Sequence, residues 1–254
     1  MPLAREVPWP MPEKEFCNFY HSMDFPDGES VEGHWDLRGR FEQYIGNYPL
    51  AGKTVLDLGT AAGFCAFSAE KLGATVTGTD LRHISESDFL PFAEHQYQSG
   101  DRASWEVEVE KGWRPIKNAF WYAWHKNNSK VTMSYTPLRD LRYADERFDV
   151  VIAGAILEHL ADPVGALSIC GRLAKEAVVI AFTPVLDTDE LLMRPITPMT
   201  DPHNEYYTWW ALSRGLYRHI FGMMGFEIEV MPSHAYYAAN RVEATRETIL
   251  ARRV

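Results

Sequence analysis

The chain has 254 residues, 46% hydrophobic and 13% aromatic, enough for one sizeable α/β core, and no shift in composition asks for a second one. Its net charge of -10 argues against a general binder of phosphate backbones, which would present a basic surface. Cys17, Cys65 and Cys170 are scattered without metal-ligand spacing, which fits a reducing cytoplasm, and the longest apolar run, 150–157, is too short to cross a bilayer.

Residues 1–15 carry Pro2, Pro8, Pro10 and Pro12 and no apolar signal segment, so they read as an extended or loosely held arm. A turn follows at Pro26-Asp27-Gly28. Asp36 is placed to cap a helix, DLRGRFEQYIG, with Leu37, Phe41, Tyr44 and Ile45 on one face and Gly46 as its stop. Residues 1–50 therefore form an arm and cap helix, and 51–254 a single domain.

The chain's organising stretch is TVLDLGTAAGFCAFSAEKLGATVTGTD, residues 54–80. Thr54 to Leu58 is a short apolar run expected to form a buried parallel strand. Gly59 and Gly63 interrupt it, where backbone can approach a ligand that a Cβ would strike. The next residues have helical spacing up to Gly73, and a second strand ends on Asp80. The helix N-terminus offers N–H groups to an anion, and Asp80 lies where a ribose diol would be held. A dinucleotide site is the plain alternative, but Gly59-Thr60-Ala61-Ala62-Gly63 lacks the three-glycine spacing that a pyrophosphate favours. Asp57, just before the turn, can orient that turn or reach an ammonium group.

VLDLGTAAGF followed by VTGTD resembles motif I and its acidic successor in the class I S-adenosylmethionine-dependent methyltransferases. YHSMDFPDG, GHWDLRG and the later Trp-Trp with its helix and Gly-Phe strand are similar to the branch of the tRNA mo5U34 (wobble-uridine) methyltransferases. The resemblance spans about residues 19–230. It implies a Rossmann-like α/β fold with a seven-stranded, mostly parallel sheet, its last strand antiparallel, an N-terminal cap and an insertion after strand 2. It implies S-adenosylmethionine (SAM) as cofactor, held by Asp57, Gly59, Thr60, Ala61, Gly63, Asp80 and Leu81. Tyr20 and Trp35 then make a carbon-rich entrance, or simply dock the arm.

Residues 82–130 exceed a minimal crossover and are expected to face the substrate. Within them WEVEVE alternates, as a strand or flap would. Pro115 then opens a helix presenting Phe120, Trp121 and Trp124. Strands follow at 131–134 and 148–153. The family holds adenine at the turn between them, here Pro137 and Leu138, and the methionine end beside Ala153 and Gly154.

His159, in ILEHLADP, is the candidate general base for an accepting hydroxyl. The same Glu-His pair also serves the fold alone in many such enzymes. Pro163 opens a helix to Leu173, and 177–182 is a further strand. His203, Tyr206, Trp209 and Trp210 are assigned to the acceptor pocket, although helix-entry aromatics are often just buried. The following helix has Leu212, Leu216, Ile220 and Met223 as its core stripe. His203, Asp187, Asp189 and His159 have no diagnostic ligand spacing, so no metal is assigned. The last segment, VEATRETILARRV, is an antiparallel strand.

The expected function is methyl transfer from SAM to a small molecule, at an oxygen of a sugar, phenol or other metabolite. The alternatives are a tRNA wobble-uridine methyltransferase and a non-catalytic SAM-binding protein. The acidic balance and the lack of a Lys/Arg-rich arm weigh against tRNA, the only nucleic-acid candidate; no membrane partner is expected.

Overall fold

A computed structural model describes residues 2–88, 102–196 and 208–254. Its main sheet has eight strands: β1 Trp35–Asp36, β2 Thr54–Leu58, β3 Thr75–Asp80, β4 Thr132–Tyr135, β5 Phe148–Gly154, β6 Ala174–Thr183, β7 Phe226–Tyr237 and β8 Glu243–Arg253. They lie in the order β1-β7-β8-β6-β5-β2-β3-β4. The β4-β3-β2-β5-β6 pairings are parallel, and β8 runs antiparallel to both β6 and β7. Seven of these are the expected strands. The eighth, β1, is an addition made by the N-terminal segment, antiparallel to β7.

Alternation along the central strands sorts their side chains into two apolar layers. Val55, Val150, Ile152, Ala177 and Val179 face one layer, and Leu56, Leu58, Val151, Val178 and Ile180 face the other. The first layer is covered by α2 Phe64–Lys71 and by α3 Arg102–Lys126, after the single turn of α1 Phe41–Tyr44. The second is covered by α4 Pro163–Leu173 and α5 Arg214–Met223. α4 starts at Pro163 as expected, whereas Leu212, expected in the stripe of α5, lies in the strand Trp210–Ser213 ahead of it. The Asp162 side chain accepts the Gly165 N–H ahead of Pro163 at 2.8 Å, and the Ser213 hydroxyl accepts the Leu216 N–H at 3.1 Å.

Four expectations about local structure are corrected. The arm is extended but not loose. The Glu6 N–H donates to the Met133 carbonyl at 2.7 Å, and the Trp9 ring stacks on Trp121 at 5.8 Å, so the arm covers edge strand β4. Residues 36–46 do not form one helix. Asp36 ends a strand, and its carboxylate binds Arg38 at 2.8 Å and Arg241 at 2.7 Å, while Gly39 at φ 71° breaks the path to α1.

WEVEVE is helical, part of α3, which runs straight through Pro115. Six alternating residues carry too little periodicity to outweigh a helix anchored downstream by Ala119, Phe120, Trp121, Tyr122 and Ala123, all buried. The α5 stripe is also shifted: Tyr217, Ile220 and Phe221 are buried, whereas Met223 is 70% exposed. No helix among the described residues is long and apolar enough to cross a membrane.

Candidate active site

A cavity of about 710 Å³ opens across the carboxyl ends of the parallel strands, the place where open α/β sheets bind ligands. Its floor is the turn from β2 into α2. Gly59 (φ 68°), Ala61 (φ 49°) and Gly63 (φ 89°) are all left-handed, a conformation that a residue with a Cβ adopts only at a cost. A Cβ on Gly63 would come within 2.3 Å of the Phe67 ring, so only glycine fits that corner. The Gly59 and Thr60 N–H groups donate to the Thr79 carbonyl at 2.9 and 3.0 Å, which ties the loop to β3.

Asp80 closes this floor. One carboxylate oxygen accepts the Ala61 N–H at 2.8 Å and the other the Leu81 N–H at 2.7 Å. The strained Ala61 is therefore pinned by the acid that faces the cavity. Burial pushes the Asp80 pKa up to about 6.

Asp57 is only 2% exposed, and its Oδ2 has no hydrogen-bond partner, nor does the hydroxyl of Thr60. Burial pushes the Asp57 pKa up to about 7 and the nearby Asp80 charge adds to it. A buried carboxylate oxygen without a partner is costly unless a donor or cation meets it. The residues thus fit a cationic nucleoside ligand of the SAM type: an acid for an ammonium, a second acid for a diol, and a loop that admits close contact. Leu81, Pro137 and Leu138 line the cavity too, the latter pair at the turn after β4 where an adenine is expected.

Gly154 lines the cavity at the end of β5, and so does Ala155, which is also left-handed (φ 47°) and donates its N–H to the Ala181 carbonyl at 2.8 Å. His159 lines the cavity on a short turn. Its N–H donates to the Ile156 carbonyl at 3.0 Å, and its own carbonyl accepts the Trp209 indole N–H at 3.1 Å. Glu158 turns the other way: it is 1% exposed and paired with Arg246 at 2.5 Å.

Several expected residues do not reach the cavity. Trp209 and Trp210 lie behind the 158–161 turn, the second donating its indole N–H to the Ala161 carbonyl at 3.1 Å; they brace His159, and neither is among the described residues that line this cavity. Trp35 packs on Tyr237 (ring centroids 4.2 Å apart) and Phe182 (5.5 Å), so it docks the cap on the sheet. Gly63 shapes the loop from outside the lining, and Ala153 is core. His203 and Tyr206 lie outside the described residues. Tyr20 is at the cavity as expected.

Other residues are there unforeseen. Trp113 and Ile116 line the cavity from α3, whereas Phe120 and Trp121 further along the same helix are core. His21 and Tyr44 line it from the N-terminal segment. The Tyr44 hydroxyl lies against Gly154, where a Cβ would come within 2.5 Å of it, and burial raises the phenol well above its usual pKa. A tyrosine at helical spacing next to Phe41 reads as core, and a histidine beside a tyrosine in an extended stretch carries no signal of its own. Among the described residues, no group of three or more His, Cys, Asp or Glu is placed to hold a metal ion. Asp187 and Asp189 pair with Arg214 and Arg218 instead.

Comparison with known proteins agrees with this geometry. The fold is similar to the N-terminal domain of EvdMO1 with SAH bound (TM-score 0.54, 17% identity, 95% of this chain and 94% of that one). It is also similar to magnesium protoporphyrin IX methyltransferase from Synechocystis PCC 6803 with bound SAH (TM-score 0.52, 16% identity, 84% and 80% covered). In sequence, the ubiquinone biosynthesis O-methyltransferase of Pasteurella multocida is 28% identical over 164 residues, 59% of each chain. That of Thiobacillus denitrificans is 30% identical over 135 residues, 53% of this chain and 45% of the relative. The match thus spans from under half to three fifths of these relatives' own length, and they give the narrower wobble-uridine branch no support. The methyltransferase domain family matches residues 37–230, well over half of the sequence, and the chain belongs to that family.

Proposed function

We propose that this protein is a SAM-dependent methyltransferase acting on an oxygen of a small hydroxylated molecule, in the cytoplasm. The observation that carries this reading is the buried Asp57 carboxylate, whose Oδ2 has no hydrogen-bond partner, beside the left-handed glycine loop. It is a vacancy in hydrogen bonding that a ligand ammonium satisfies. Asp80 would accept the ribose hydroxyls on the lone pairs its two backbone bonds leave over, and Trp113, Ile116, Pro137 and Leu138 would enclose the adenine. When bound, SAM supplies a methyl group made electrophilic by its sulfonium.

What remains for the protein is to orient the acceptor, exclude water and take a proton. The cavity combines apolar and aromatic walls, among them Leu58, Ile84, Trp113 and Ile116, with acids, arginines and histidines, a mixture that can place a small organic acceptor by a few polar contacts. Ubiquinone biosynthesis O-methyltransferases, the relatives found by sequence, carry the same reading of methyl transfer to oxygen. His159, placed at the cavity, is the base expected from the sequence.

Methyl-labelled SAM offered with bulk tRNA and, separately, with a small-metabolite extract tests the proposal. Label in the metabolite fraction is the expected outcome. Label in tRNA overturns the acceptor class. Binding of SAM by calorimetry with no label in either pool makes the protein a SAM-binding module.

A further inference from the structure

The segment 20–38 supplies more than a lid. Its chain is fastened to the edge of the sheet: the Trp35 N–H donates to the Tyr20 carbonyl at 3.1 Å and the Ser22 N–H to the Trp35 carbonyl at 2.8 Å, on either side of a His21–Trp35 bridge. Gly33 packs against the main chain of His21 so closely that a Cβ there would lie 2.4 Å from its carbonyl carbon. The backbone of His21 is therefore held from two sides.

The ring of His21 is held as well. It sits 5.2 Å from the Phe64 ring, the first residue of α2 above the glycine loop, and 5.0 Å from Tyr20. It lines the cavity, and its Nδ1 is sealed from solvent with no hydrogen-bond partner. An imidazole nitrogen left unsatisfied inside a protein calls for a partner that comes and goes. Around it the lining is Tyr20, Tyr44 and Phe64-backed carbon, with the Tyr44 hydroxyl as a further polar group.

We propose that His21 is a catalytic residue of this site: its imidazole binds the hydroxyl of a phenolic acceptor and takes the proton as that oxygen is methylated, in place of His159. The inference rests on the methyl-transfer reading above. A phenol matches the surroundings, since its flat apolar ring suits an aromatic-walled space and its one hydroxyl suits one imidazole. In the step, the acceptor O–H bond breaks and its electron pair stays on oxygen. The proton forms an N–H bond on the imidazole, which later releases it to solvent.

Burial, with the neighbouring His34, pushes the His21 pKa down to about 3, so the ring is neutral and has a lone pair at any physiological pH. So weak a base is sufficient. An ether oxygen that still carries a proton is a strong acid, so the proton leaves readily once the new bond to carbon begins to form.

The test compares the wild type with His21→Gln and Gly33→Ala. SAH binding by calorimetry comes first and is expected to stay within about threefold in both variants, which shows an intact cofactor site. With methyl-labelled SAM and a metabolite extract, label is expected in the phenolic fraction, falling by a factor of about 10²–10⁴ in His21→Gln. Gly33→Ala keeps the imidazole but displaces it, and is expected to lose at least tenfold. In ¹⁵N-histidine-labelled protein saturated with SAH, catechol is expected to shift the ring resonances that vanish in His21→Gln. Labelling by His21→Gln within threefold of wild type, or a catechol shift confined to other histidines, overturns the assignment. Label in a non-phenolic product overturns the acceptor class. A wild type that binds SAH and labels nothing overturns the methyl-transfer reading, a result distinct from the others.

Discussion

The two sides of the cavity are built on different plans. The floor, residues 57–80, is one contiguous strand-turn-helix-strand whose carboxylates, glycines and helix start come from a single stretch of chain. The opposite side is assembled from the N-terminal segment and the 154–162 turn. The floor is held by local backbone geometry: left-handed positions at Gly59, Ala61 and Gly63 and two N–H bonds into Asp80. The other side is rigid because distant parts brace one another, as Trp209 and Trp210 brace the 158–161 turn and Arg246 holds Glu158 beneath it. A local plan preserves a cofactor site, and a dispersed one lets acceptor choice change without disturbing it.

The largest effect is expected on the dispersed side. Arg246→Met leaves the Glu158 carboxylate buried and uncompensated, and should lower unfolding free energy in urea by about 3 kcal/mol. Adding Glu158→Gln should recover most of that loss, because the orphaned charge is then gone. On the local side, Asp80→Ala removes an acceptor from two N–H groups and from the ligand. SAH binding by calorimetry should weaken by about 2 kcal/mol, roughly thirtyfold. Asp80→Asn should be nearly as damaging, since its amide nitrogen would face an N–H where a carboxylate oxygen accepts one.

A pH series separates the two sides further. Asp57 and Asp80 have folded pKa values of about 7 and about 6, above the roughly 3.9 of an unfolded aspartate. Between about pH 4 and 7 the ligand-free folded state holds protons that the unfolded state has lost, so its stability falls as pH rises through that window. Ligand affinity runs the opposite way. An ammonium prefers ionised Asp57, so SAH should bind about tenfold more tightly at pH 7.5 than at pH 5.5, with proton release seen in buffers of different ionisation heat. Asp57→Asn should flatten that profile. The smallest effect is at Met223, 70% exposed, where Met223→Gln should leave stability within about 0.5 kcal/mol.

From the sequence alone, the central parallel strands as elements, the glycine turn and the two acids of the floor were legible, because alternation, glycine and acid positions act within a few residues of one another. The same local logic read the start of α4 from Pro163. It failed where a short pattern met a long-range partner. WEVEVE became helix because the rest of α3 is buried against β4, and Asp36 became a strand end because Arg38 and Arg241 claim its carboxylate. It also misplaced the aromatics: nothing in Trp209-Trp210 says that both indoles donate to the back of the His159 turn. His21 and Tyr44 were invisible for the same reason. His21 reaches the cavity from a segment held by a two-residue edge strand that pairs with β7, some 200 residues further along the chain, and the Tyr44 hydroxyl reaches Gly154; only the closed tertiary structure makes these contacts.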